Sequence, residues 1–238
     1  IFPLYKKWGI KGIKFGFVQV GSQHWTSWVE EAIKKCAAND LMVNIHDDWR
    51  PTGEMRTYPN LMTAEGIRGN EEMPDATHNV TLPFTRYIGG AADYTICYYT
   101  NRIKTTHAHQ LAMAAVYYSP IQTLFWYDKP SQSKDEPELE FWRKIPTTWD
   151  ETIFIDGYPG KYCVLARRHK ETWYITGINA EKNEKNLTVA LPMLAGKQVT
   201  LYSDSENKQS QMEKIAMKEK NHIKLRLLPN GGAVLIGN

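Results

Sequence analysis

Residues 11–46 constrain the fold most, because they read as strand, amphipathic helix and strand in unbroken succession. KGIKFGFVQV (11–20) carries Ile13, Phe15, Phe17 and Val18 with little charge, the pattern of a strand buried on both faces. Gly21-Ser22 offers a turn and a helix N-cap. Trp25, Trp28, Val29, Ala32, Ile33 and Cys36 then recur at helical spacing as the inward face. Glu30 with Lys34, and Glu31 with Lys35, stand four residues apart on the outer face. Asn39-Asp40 stops the helix, and LMVNIH (41–46) supplies the next buried strand. Two strands with a helix between them at this spacing make a right-handed βαβ crossover in a parallel sheet. In a barrel of such units, the loops beyond the strands' C-terminal ends hold the chemistry.

Asp47 stands at such an end, and it opens an unusual segment. Between residues 44 and 75 lie seven acids, Asp47, Asp48, Glu54, Glu65, Glu71, Glu72 and Asp75, in a stretch too polar and too rich in Pro and Gly for a core element. Carboxylates crowded this way repel unless the fold spreads them, or a cation or protonation relieves them. Acid/base catalysis and calcium binding both use the arrangement. A solvated loop whose acids pair with Arg50, Arg56 and Arg68 accounts for the composition equally well.

Further on, ADYTICYY (92–99) and QTLFWY (122–127) read as strands. HAHQLAMAAVYY (107–118) reads as a helix with Ala108, Leu111, Ala112, Ala115 and Val116 inward. After about residue 150 the texture changes to short apolar runs parted by turn residues such as Asp156-Gly157, Pro159-Gly160 and Asn230-Gly231. These argue for an antiparallel β-sandwich of roughly eight strands. The charge-dense tracts near 180–186 and 204–221 read as solvated hairpin ends. The fold class is thus α/β, a parallel barrel piece over 1–150 followed by a β-sandwich over 151–238.

A net charge of +3, from 29 basic and 26 acidic residues, gives no footprint for nucleic acid. No apolar run reaches the ~18 residues of a membrane span. Cys36, Cys97 and Cys163 are odd in number and lie in apolar surroundings, which implies neither a disulfide framework nor a zinc site. The chain opens at Ile1 without Met or a signal peptide, so an upstream part is expected.

Cleaving a glycosidic bond needs one carboxylic acid to protonate the leaving oxygen and one carboxylate to attack or to activate water. Glu71 and Asp47 supply such a pair, and Trp49, Tyr58, Trp126 and Tyr127 near strand ends would stack on sugar rings. The segments IHDDWRPTG, RTYPNLMTAEGIRGNEE, GGAADYT, TTHAHQLA and IPTTWDET closely resemble glycoside hydrolase family 97, bacterial α-glucosidases and α-galactosidases. The resemblance runs over essentially the whole chain. It implies the C-terminal part of a (β/α)8 TIM barrel followed by the family's C-terminal β domain.

Carried over by position, the resemblance makes Glu71 the general acid and Glu65 a calcium ligand. Asp47 becomes a metal-binding residue that also helps to activate water, and His46 a sugar-binding residue. Arg56 and Trp126 are the further substrate-binding candidates, and Asp47, Glu65 and Glu71 together form the expected Ca2+ set. Position 47 is Asp where inverting α-glucosidases carry Glu. Position 16 is Gly where retaining members place an Asp nucleophile, and without a carboxylate there no covalent intermediate forms at that position. The expectation is a calcium-dependent, inverting, α-glucosidase-like enzyme acting on oligosaccharides, periplasmic as in the family. It would lack the N-terminal part that supplies further ligands, and would associate with that part or with itself. An α-galactosidase, a retaining relative or an inactive carbohydrate-binding fragment is the alternative.

Overall fold

The structure, a computed structural model, describes residues 1–133, 136, 138–207, 209–217 and 222–238. After helix α1 (Phe2–Lys7) come strand β1 (Gly12–Phe15), helix α2 (Gln23–Ala37) and strand β2 (Met42–Ile45). Ser22 caps α2, its hydroxyl accepting the Trp25 N–H at 3.2 Å. Val29, Ile33 and Cys36 bury the helix against Leu41, Val43 and Ile45. The indoles of Trp25 and Trp28, expected inward, instead pack edge-to-face at 5.7 Å on the margin of the helix, where Trp28 stays exposed. Glu31 takes both lysines of the outer face, Lys34 at 3.9 Å and Lys35 at 3.8 Å.

The polar segment holds more structure than its composition implies. One-turn helix α3 (Glu54–Thr57) leads into strand β3 (Leu61–Ala64), and the order β1-β2-β3 is parallel throughout. Strands were also expected at 92–99 and 122–127. These segments make only isolated parallel bridges, Ala64 to Ala92 and Ile96 to Leu124. The physical reason is that carboxylates replace the ladder: Asp93 accepts the Thr123 N–H, and Asp128 accepts the N–H groups of Tyr98, Tyr99 and Thr100. Helices α4 (Ala76–Thr81), α5 (His107–Val116) and α6 (Glu138–Lys144) complete this part. Every residue of α5 from Ala108 to Val116 is buried.

The remaining strands are β4 (Glu151–Tyr158), β5 (Tyr162–His169), β6 (Thr172–Asn179), β7 (Lys185–Ala190), β8 (Gln198–Asp204), β9 (Ser210–Ala216), β10 (His222–Leu227) and β11 (Gly232–Gly237). They form a six-stranded antiparallel sheet, β4-β5-β6-β11-β8-β9, covered on one face by the pair β10-β7. Alternation places Val164, Ile175 and Leu235 against Leu225 and Leu227 of β10, and Cys163, Leu165, Tyr174 and Val234 against α5. With both faces covered, these strands read as continuous apolar runs. Strand β9 lies in a tract expected to be a solvated hairpin end. It is an edge strand exposed on both faces, which erases its apolar alternation, and residues 218–221 of that tract lie outside the described residues. The three cysteines are free and buried, and no described helix is long and apolar enough to cross a membrane.

Candidate active site

The C-terminal ends of β1, β2 and β3 are laced together by the backbone. The His46 N–H donates to Phe15 O (2.8 Å), the Glu65 N–H to Ile45 O (2.8 Å) and the Gly66 N–H to Asp47 O (2.8 Å). Asp47 adopts a left-handed backbone, φ 64°, which turns the chain off β2 and lets its carboxylate accept the Val18 N–H at 2.9 Å. Gly66, at φ 56°, sits where a Cβ would strike the Trp49 carbonyl, so only glycine closes the turn after Glu65.

His46 is the hub of the cluster. Its Nδ1 lies 2.8 Å from Asp47 Oδ1, and its Nε2 lies 2.9 Å from Glu71 Oε2 and 3.4 Å from Glu65 Oε1. An ionised carboxylate only accepts, so Asp47 fixes the Nδ1–H tautomer, and one proton then serves the contact between Nε2 and Glu71. The Trp126 indole lies against the imidazole with ring centroids 6.0 Å apart. Glu71 is held from behind: the neighbouring Asn70 donates its N–H to Tyr94 O (3.0 Å) and its side-chain amide to Gln110 of α5 (2.8 Å).

Lys14, in β1, carries the only positive charge in contact with these carboxylates among the described residues. Its Nζ donates to Glu65 Oε1 at 3.0 Å and to Asp93 Oδ2 at 3.1 Å, and it lies 5.0 Å from the centre of the Trp126 ring. Asp93 is fully buried, and Asn44 and Thr123 also donate to it. Burial pushes the Glu65 carboxyl above the usual carboxylate range, against the pull of Lys14.

Of the residues singled out in the sequence, His46, Glu65 and Glu71 converge, with ligand atoms within 4.8 Å of one another. Trp126 joins them. Asp47 touches His46, and its backbone N–H reaches Glu65 Oε2 at 3.1 Å, but its two carboxylate oxygens face the imidazole and Val18 and lie outside that close set. Arg56, the other substrate-binding candidate, is exposed on α3. Met55 is the α3 residue that packs inward, so the side chain that follows it points to solvent and bonds to no cluster residue. Lys14, Asp93 and the Asn70–Gln110 pair were missed. A lone Lys in the apolar run GIKFGF and a lone Asp in AADYTI were the available signals. The carboxylate oxygens of Glu65 and Glu71 suit a hard divalent cation, His46 Nε2 does not, and Lys14 already stands on Glu65.

Convergent carboxylates at the ends of parallel strands, beside an exposed indole and ahead of an antiparallel β domain, define the class of barrel-type glycoside hydrolases. A profile described as "Glycoside hydrolase 97" matches residues 1–67, and one described as "Glycosyl-hydrolase 97 C-terminal, oligomerisation" matches residues 148–236. The chain belongs to glycoside hydrolase family 97. It is 32% identical to a "Retaining alpha-galactosidase" of Bacteroides thetaiotaomicron, over 97% of this chain and 39% of that protein. The crystal structure of a beta-arabinopyranosidase superposes with a TM-score of 0.90 at 32% identity, over 99% of this chain and 40% of the other. A family 97 enzyme of Pseudoalteromonas sp. strain K8, in complex with acarbose, gives 0.84 at 26% identity, over 100% of this chain and 43% of the other. The chain thus spans about two-fifths of the length of these relatives.

Proposed function

We propose that this chain carries the general-acid half of an exo-α-glycosidase active site, with Glu71 as the acid. The observation behind the reading is the contact between Glu71 Oε2 and His46 Nε2, with the opposite ring nitrogen oriented by Asp47 and the indole of Trp126 alongside. A proton held at Glu71 Oε2 is oriented by the imidazole and passes to the leaving glycosidic oxygen as the bond to the anomeric carbon breaks. Trp126 offers a flat apolar face to the sugar ring, and Lys14 holds Glu65 in place. Glu65 is too near Glu71 and too firmly paired with Lys14 to serve as the second catalytic carboxylate.

Calcium is part of the same proposal. Glu65 and Glu71 would hold it through their oxygens, the ion competing with Lys14 for Glu65. When bound, the ion would offset charge on substrate oxygens. Inversion is the reading favoured at Gly16, which offers no carboxylate in β1's wake and whose Cβ position is open, leaving space beside the strand end. The relative's description as a retaining α-galactosidase favours retention and a galactoside instead. Self-association through the C-terminal domain, after the description of its profile, and a periplasmic location complete the proposal.

The test uses the complete polypeptide with nitrophenyl α-galactoside and α-glucoside. Hydrolysis of at least one is expected, and on an unactivated α-linked disaccharide, whose leaving oxygen must be protonated, Glu71→Gln should lower kcat by about 10²–10⁴-fold. Chelation should lower activity and Tm together, with calcium restoring both. Proton NMR of the first-formed sugar reads β for inversion and α for retention. Undiminished hydrolysis of the disaccharide by Glu71→Gln ends the assignment.

A further inference from the structure

Strand β4 overhangs the β domain. It is an edge of the six-stranded sheet, hydrogen-bonded only to β5, and it runs one residue past the Asp156-Gly157 turn signal. Its apolar side chains are left in the open on both faces: Ile153 is 36% exposed, Phe154 55% and Tyr158 60%. Phe84 touches the Phe154 ring edge-on at 5.9 Å, and Lys161 lies 4.8 Å from the Tyr158 ring centre, but neither covers these groups. The opposite edge, β9, carries Glu213 and Lys214 among its exposed residues, and charges of this kind blunt an edge against pairing. Strand β4 holds neither Lys nor Pro. Its acids are also accounted for, since Glu151 pairs with Arg168 at 3.3 Å and Asp156 accepts the Gly157 N–H at 2.8 Å.

We propose that β4 is the contact surface for a second copy of this chain, the two strands meeting antiparallel about a two-fold axis near Phe154. This rests on the self-association part of the reading above, for which the description of the profile matching residues 148–236 supplies the kind of partner. The structure supplies the place. An antiparallel two-fold is self-complementary, because each strand offers the other the same patch. With Phe154 at the axis, Ile153 faces the apolar Ile155 of the other copy, Asp156 faces Thr152 and Glu151 faces Gly157, so no acid opposes an acid. The register shift between Phe154 and Asp156 interrupts a regular ladder, so side-chain packing of Ile153, Phe154 and Tyr158 carries the contact.

Light scattering coupled to size exclusion on the complete polypeptide tests this, with circular dichroism confirming that each variant is folded. The unaltered protein is expected at twice the monomer mass. Phe154→Asp and Ile153→Lys should each bring it to the monomer mass, whereas Met212→Lys on β9 should leave it unchanged. Folded β4 variants that keep the doubled mass would overturn the surface while leaving self-association standing. Dissociation by Met212→Lys alone would move the contact to the other edge. A monomeric unaltered protein at micromolar concentration would overturn both the surface and the self-association.

Discussion

Lys14 is a single ammonium placed between two carboxylates, one of them fully buried. Removing one partner of a buried ionic group leaves the others desolvated and uncompensated, which costs more than the pair itself contributes. Lys14→Met, close in volume and free of charge, is therefore expected to destabilise the chain by about 3 kcal/mol. Denaturant titration measures this. A loss below about 1 kcal/mol would mean that the hydrogen bonds from Asn44 and Thr123 hold Asp93 without the ammonium. His46, Glu65 and Glu71 were legible as a set because IHDDWRPTG and RTYPNLMTAEGIRGNEE resemble family 97 position by position, whereas the composition of the stretch fits a solvated loop equally well. Lys14 and Asp93 were not, since a lone charge inside an apolar run shows its purpose only when the opposite charge is seen beside it.

At the scale of elements, α5 joins the two parts of the molecule. It lies so close to β11 that a Cβ on Gly232 would come within 2.6 Å of the His109 Cα, and the His109 imidazole Nδ1 sits 3.1 Å from Gly231 O. Burial lowers the His109 pKa from 6.5 to about 4. The folded value is the lower one, so the unfolded chain binds the proton first as pH falls. This contribution to stability is complete above the ordinary imidazole range and declines between pH 6.5 and about 4. Its full size is about 3 kcal/mol. Tm against pH should therefore fall more steeply over that window for the unaltered chain than for His109→Gln, and parallel curves would remove His109 from the acid sensitivity. Helix α2 was legible from its cap and periodicity, and α5 from its inward-facing apolar residues. Strand β3 was not, because four residues inside a polar segment carry too little pattern, and the expected strand at 92–99 failed because Asp93 and Asp128 take backbone donors that a ladder would have used.

For the whole molecule, the largest hydrophobic cluster does not stop at residue 150. Tyr94, Leu111, Val116 and Phe141 share it with Cys163, Leu165, Tyr174, Tyr202 and Val234. A core common to both parts makes each dependent on the other, so far-UV circular dichroism and tryptophan fluorescence should report one coincident unfolding transition. Two separated transitions would show that each part holds its own core. What the sequence determined by itself was the kind of each part: βαβ periodicity demands a parallel sheet, and repeated short apolar runs parted by Gly and Pro demand an antiparallel one. It also named the acids around which chemistry was to be sought. Only the tertiary structure decided which of them meet. Glu65 and Glu71 reach His46 because a left-handed turn at Asp47 and the anchoring of Asn70 on α5 fold the segment back over the strand ends, while Arg56 leaves on a helix that buries its neighbour. Convergence of side chains depends on contacts between residues far apart in the chain, and local pattern carries no record of those.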